Sequence, residues 1–138
     1  MSASDVPRLL VYGAYGYTGR LVVEAALDRG YDPIVAGRDT TKTRGVATAT
    51  DLEARSFPVT DADAHLGDVD AVLNCAGPFS ETADAMVDAC LGTGTHYLDI
   101  TGELPVFERL HRRGPDAAAA DVTLLPGVGF DVVPTDCL

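Results

Sequence analysis

Short apolar runs alternate with helix-period patterns from end to end of this chain, and that alternation restricts the fold more than anything else in the sequence. Strands are predicted at residues 9–12, 34–36, 55–59, 71–76, 97–100 and 122–125. Residues 18–29 carry Val22, Val23, Ala26 and Leu27 on one helical face, with Gly30 as the stop. The clearest helix spaces Ala83, Met86, Val87, Cys90 and Leu91 on one side and Asp84 and Asp88 on the other, with Gly92 and Gly94 ending it. Further helices are predicted at 105–113 and, after an interruption at Gly114 and Pro115, at 117–120. Pro58 marks the third strand as an edge or a strand end, because proline cannot donate to a ladder. Alternation of this kind specifies an α/β fold: a Rossmann-type, doubly wound parallel sheet with right-handed crossovers and helices on both faces. No repeat and no internal boundary interrupts the 138 residues, the size of a single domain.

Composition removes several classes of function. With 46% hydrophobic and 22% charged residues the chain can bury a core and is not a disordered tract. No apolar run nears the ~20 residues of a membrane span, and residues 1–6 form no signal peptide, so no transmembrane segment and a cytoplasmic location are expected. Ten basic against twenty-one acidic residues give a formal charge of −11, which argues against nucleic acid as a partner. Lys42 is the only lysine, and aspartate far outnumbers glutamate, a balance that suggests a halophilic, acidic surface. Cys75, Cys90 and Cys137 contain no CxxC and read as buried structural thiols. His65, His96 and His111 lack metal-ligand spacing, so no metal is assigned.

Gly13-Ala14-Tyr15-Gly16-Tyr17-Thr18-Gly19 reads G-x-x-G-x-x-G and falls between the first strand and the first helix. In that context Gly13 makes a tight turn, Gly16 lets the backbone approach a pyrophosphate, and Gly19 lets the helix pack closely on the strand. The helix N-terminus offers free N–H groups and a partial positive charge to phosphates. A tight strand-to-helix turn with no ligand is the alternative. At the end of the second strand, sites for NAD usually carry an acid, about 20 residues on, that binds the ribose 2′-hydroxyl. Arg38 stands there instead, and a guanidinium suits a 2′-phosphate, with Thr40 and Lys42 placed to assist. Asp39 is the competing feature, since it could turn toward a hydroxyl. NADP(H) is therefore favoured over NAD(H). After the fourth strand, Asn74, Ala76, Gly77 and Pro78 are expected to pass the middle of the cofactor, where small residues allow close approach.

Five segments carry a resemblance to a known family. They are Gly13-Ala14-Tyr15-Gly16-Tyr17-Thr18-Gly19-Arg20, Ala36-Gly37-Arg38, Asn74-Cys75-Ala76-Gly77-Pro78-Phe79, the run from Gly94 to Glu103, and the run from Pro126 to Asp136. In order along the chain, they resemble the saccharopine dehydrogenase-like oxidoreductases. The resemblance implies that residues 1–138 are an NAD(P)-binding Rossmann domain whose substrate domain is absent from this chain. It implies hydride transfer to or from a small-molecule or lipid-like substrate, with a reductase of the enoyl branch favoured over the lysine-pathway activity. The last residues, Thr135-Asp136-Cys137-Leu138, read as a helix just starting, so a fragment of a longer protein, inactive alone, is expected. An apolar face left uncovered would favour a homo-oligomer.

Asp99 and Glu103 lie at and beyond the carboxyl end of the fifth strand, the side on which open α/β sheets bind ligands. With Asp131 they are the candidate catalytic residues, able to accept a substrate hydrogen bond or move a proton. The alternative is that Asp99 and Glu103 cap turns around Gly102. Short-chain dehydrogenase chemistry needs a Tyr-x-x-x-Lys pair, and the residue four before Lys42 is Arg38, so that chemistry is excluded here. A non-catalytic NADP(H)-binding redox sensor stays as the alternative function.

Overall fold

The computed structural model describes residues 6–129. Each apolar run becomes one strand of a single sheet: β1 (Leu9–Tyr12), β2 (Ile34–Gly37), β3 (Ala54–Ser56), β4 (Ala71–Asn74), β5 (His96–Asp99) and β6 (Leu124–Leu125). The order is β3-β2-β1-β4-β5-β6 with every pair parallel. The chain steps outward from β1 to β3, then returns to lay β4 on the other side of β1. That reversal is the switch point at which open α/β sheets form their ligand crevice. In register, Tyr12 lies opposite Asn74 and Asn74 opposite Asp99, so the carboxyl ends of the central strands are level.

Successive strand residues point to opposite faces, so β1 supplies two cores. Leu10 joins Val72, Tyr97, Met86 and Val106 in the larger core, which includes residues of α3 (Phe79–Thr93) and α4 (Leu104–Arg112). Val11 joins Val35, Val23 and Val46 in the smaller one, against α1 (Tyr17–Asp28) and α2 (Thr40–Thr50). Each fully buried valine or leucine contributes about 1.5–3 kcal/mol relative to its exposed state, so both faces hold the sheet. The doubly wound architecture expected from the alternation is the one observed, and β3 lies at an edge as Pro58 requires. No described helix is long and apolar enough to cross a membrane.

Four local features depart from the sequence reading. α2 and a 3-10 helix, Val59–His65, lie where the sequence reading assigns no helix. Gly92 sits inside α3, which runs on to an αL cap at Gly94, φ 74°. Gly114 and Pro115 open α5 (Gly114–Ala120) rather than interrupting the chain before it, since proline is tolerated in a first helical turn. β3, β4 and β6 are shorter than expected. β4 ends at Asn74 because the Asn74 side chain itself takes the Ala76 N–H that a ladder would have used.

Candidate cofactor site

The turn after β1 is built by backbone contact. Gly13 has φ +82°, and a Cβ there would stand 2.9 Å from the Ala76 nitrogen, so the β1–α1 and β4–α3 turns meet backbone to backbone. The N–H groups of Gly13 and Ala14 donate to the Ala36 carbonyl at 2.8 and 3.1 Å, which fastens the turn to β2. A Cβ on Gly19 would run into the Gly13 carbonyl oxygen, so the first turn of α1 rests directly on the loop. Gly16 is the N-cap of α1 and brings no capping side chain, and the first turn holds no acid. The N-terminal N–H groups of α1 are thus left without a side-chain acceptor at the rim of a cavity of about 500 Å³.

Gly13, Gly16, Tyr15 and Arg38 line one side of that cavity, and Ala76, Gly77, Pro78 and Glu81 the other. The Gly77–Pro78 peptide is cis. Of the other turn residues, Ala14 is fully buried in the smaller core, while Tyr17 and Thr18 are exposed on the first turn of α1. Arg38 is exposed and, among the described residues, forms no ion pair, although acids outnumber bases two to one. Asp39 does not turn toward the cavity: it caps α2, its Oδ1 accepting the Lys42 N–H at 2.8 Å. A glycine-lined cradle, an uncapped helix N-terminus and an unpaired guanidinium fit a dinucleotide phosphate donor for donor.

Asn74, expected with Ala76, Gly77 and Pro78 to pass the middle of the cofactor, is not among the residues that line the cavity. It is fully buried; Nδ2 donates to Thr82 Oγ1 at 3.1 Å and Tyr97 Oη at 3.3 Å, and Oδ1 accepts from Ala76 N at 3.0 Å. Thr82 in turn donates to the Ala76 carbonyl at 2.7 Å. Asn74 therefore shapes the 75–78 turn from beneath. Thr82 and Tyr97 were missed in the sequence, where each reads as an ordinary helix or strand residue.

The acids after β5 are likewise engaged. Asp99 is fully buried, with Oδ2 accepting from Tyr97 Oη at 2.7 Å and Oδ1 from Thr101 N at 3.0 Å and Gly127 N at 2.9 Å. Glu103 accepts from Phe79 N at 2.7 Å and Ser80 N at 3.3 Å, closing the N-terminus of α3. Asp99 thus holds the turn after β5, Glu103 closes the start of α3 rather than a turn around Gly102, and neither lines the cavity. Asp131 lies outside the described residues. Burial, then the neighbouring Asp99 charge and hydrogen bond, keep the Tyr97 phenol protonated far above its usual range. Burial and, secondarily, Asp99 push the Cys75 thiol up to about 12, and burial does the same to Cys90. Cys137 lies outside the described residues.

Strand order, the glycine turn at the switch point and the phosphate-compatible rim define a nucleotide-binding type of Rossmann domain. The chain belongs to the saccharopine dehydrogenase NADP binding domain family, whose model matches residues 9–125. A trans-acting enoyl reductase of Mycobacterium leprae is 34% identical over 93% of this chain and 33% of its own length. The trans-acting enoyl reductase of Mycobacterium bovis is 30% identical over the same shares. The chain spans about a third of the length of the curated relatives it matches. Apo saccharopine dehydrogenase (L-Glu forming) from Saccharomyces cerevisiae shares the fold with a TM-score of 0.77 at 23% identity, over 91% of this chain and 28% of that one.

Proposed function

We propose that this chain is the NADP(H)-holding part of a longer reductase that acts on an enoyl, lipid-like substrate. The observation that carries the cofactor preference is the pair at the end of β2. The acid there, Asp39, spends its carboxylate on the α2 cap, while Arg38 stays unpaired beside the cavity. A 2′-phosphate would meet a guanidinium, whereas a 2′-hydroxyl would meet an acid already engaged in capping α2. When bound, the nicotinamide supplies or accepts hydride; the residues of this chain bind it, orient it and shape its surroundings. Gly16 to Gly19 hold the pyrophosphate at the α1 N-terminus, Gly13 and Ala14 fix the turn beneath it through their bonds to Ala36, and Ala76, Gly77 and Pro78 pass the middle of the cofactor.

The enoyl branch is favoured by the names of the relatives at 30–34% identity, which cover nearly all of this chain. Asp99 and Glu103 serve as positioning residues for the walls of the site, and Asp131 is the remaining acidic candidate for substrate chemistry. The other two thirds of the relatives' length would supply the substrate pocket, since hydride transfer needs a second reactant held within about 3–3.5 Å of the nicotinamide. The test compares NADPH oxidation by the longer protein and by this 138-residue chain across enoyl, ketone and imine substrates. Oxidation with enoyl substrates by the longer protein alone is expected. Turnover by the 138-residue chain would overturn the division of labour. Tight NADPH binding without turnover by either would favour the redox sensor.

A further inference from the structure

Tyr15 sends its side chain from the β1–α1 turn across to the β2–α2 turn. A Cβ on Gly37 would collide with the ring Cε1, so glycine at the end of β2 is what admits the ring. The Asp39 N–H donates to Tyr15 Oη at 3.3 Å, and the Lys42 ammonium stands 5.7 Å from the ring centroid. The ring packs on the smaller core and lines the cavity beside Arg38. Tyr15 thus carries the Lys42 cation over its ring and shares the cavity lining with the Arg38 cation. A carboxylate anchor would have neutralised them. A ring face fixes an ammonium while leaving its charge available.

We propose that Tyr15 is a positioning residue for cofactor selection, holding the Arg38–Asp39 turn and the Lys42 ammonium so that both cations flank the place of the ribose 2′-phosphate. The inference rests on the NADP(H) reading above. Arg38 is a long, exposed side chain, and every rotamer it must give up on binding weakens the complex. The Tyr15 bond to the next N–H fixes the backbone from which that side chain springs, so the ordering of the turn is not added to the side-chain cost. A ligand without the phosphate gains nothing from either cation, so Tyr15 acts on the NADP+ to NAD+ ratio rather than on dinucleotide binding as such.

The experiment titrates the full chain and its variants with NADP+ and with NAD+, by calorimetry and by tyrosine fluorescence. The second signal is usable because the sequence has five tyrosines and no tryptophan. Tyr15→Leu keeps apolar packing but loses ring and hydroxyl; it should weaken NADP+ about tenfold and leave NAD+ within about twofold. Tyr15→Phe, which restores the ring, should recover part of the NADP+ loss. Equal losses for both cofactors, or no loss in Tyr15→Leu, would overturn the proposal. Should Tyr15→Leu fail to fold, Tyr15→Phe decides: a loss confined to NADP+ supports it and unchanged binding overturns it. Arg38→Asp, run alongside, separates the two levels. A wild type without NADP+ preference removes the parent reading. A preference abolished by Arg38→Asp but untouched at Tyr15 removes this inference alone.

Discussion

Asp99 would be lost to the core without its three donors, and they without it. A buried carboxylate is tolerated where both oxygens find donors, and Tyr97 Oη, Thr101 N and Gly127 N provide them. Asp99→Ala would leave all three donors without an acceptor, and a destabilisation of about 3 kcal/mol or more is expected in urea unfolding. A role in substrate chemistry alone would instead leave the unfolding curve where it is. This distinction was beyond the sequence, in which an acid at a strand's carboxyl end reads equally as a catalyst or as a turn-holder. Gly13 and Gly19 of the turn were legible because backbone sterics act at their own positions. Asn74 was not, because its role depends on Thr82 and Tyr97, partners from other elements.

Elements were readable where apolar periodicity set them and unreadable where a cap did. α2 contains Thr40, Thr41, Thr43, Thr48, Thr50 and Gly45, a composition poor for helix. It forms because Asp39 caps it and Thr43 and Val46 bury against the sheet. Asp39, an N-cap residue type directly before Thr40, was the available signal. The edge strand β3, laddered to β2, also carries a cluster of ion pairs. Arg55 pairs with Asp68 at 2.7 Å and with Glu53 at 2.6 Å, and also donates to the His65 carbonyl at 2.7 Å. The hydrogen bond from Arg55, more than the charge itself, holds the Asp68 carboxyl well below the usual carboxylate range. A depressed carboxylate contributes stability that is fully present above its unfolded value, about 3.9, and lost as pH falls toward the folded value. Acid titration of the wild type should therefore show stability falling below about pH 4. Asp68→Asn should be less stable at neutral pH and flatter across that limb. Identical acid limbs in the two proteins would show that the pair carries no pH dependence.

On the scale of the molecule, the sheet order places the crevice and the turns furnish it. β1 and β4 part the crossovers at the switch point, and the two turns that follow them meet at Gly13 and Ala76 to form one floor. Around that floor, in a chain of net charge −11, Arg38 and Lys42 form no ion pair among the described residues and so keep their charge for an anion at the end of β2. Screening reduces such an attraction, so affinities for the two cofactors are comparable only at one ionic strength. The most direct measurement is a calorimetric titration of the wild-type chain with NADP+ and with NAD+ in the same buffer. A charge-assisted hydrogen bond of about 1.5–3 kcal/mol to the 2′-phosphate predicts binding of NADP+ roughly ten- to a hundredfold tighter than NAD+. Equal or tighter binding of NAD+, or no heat with either, would contradict the account.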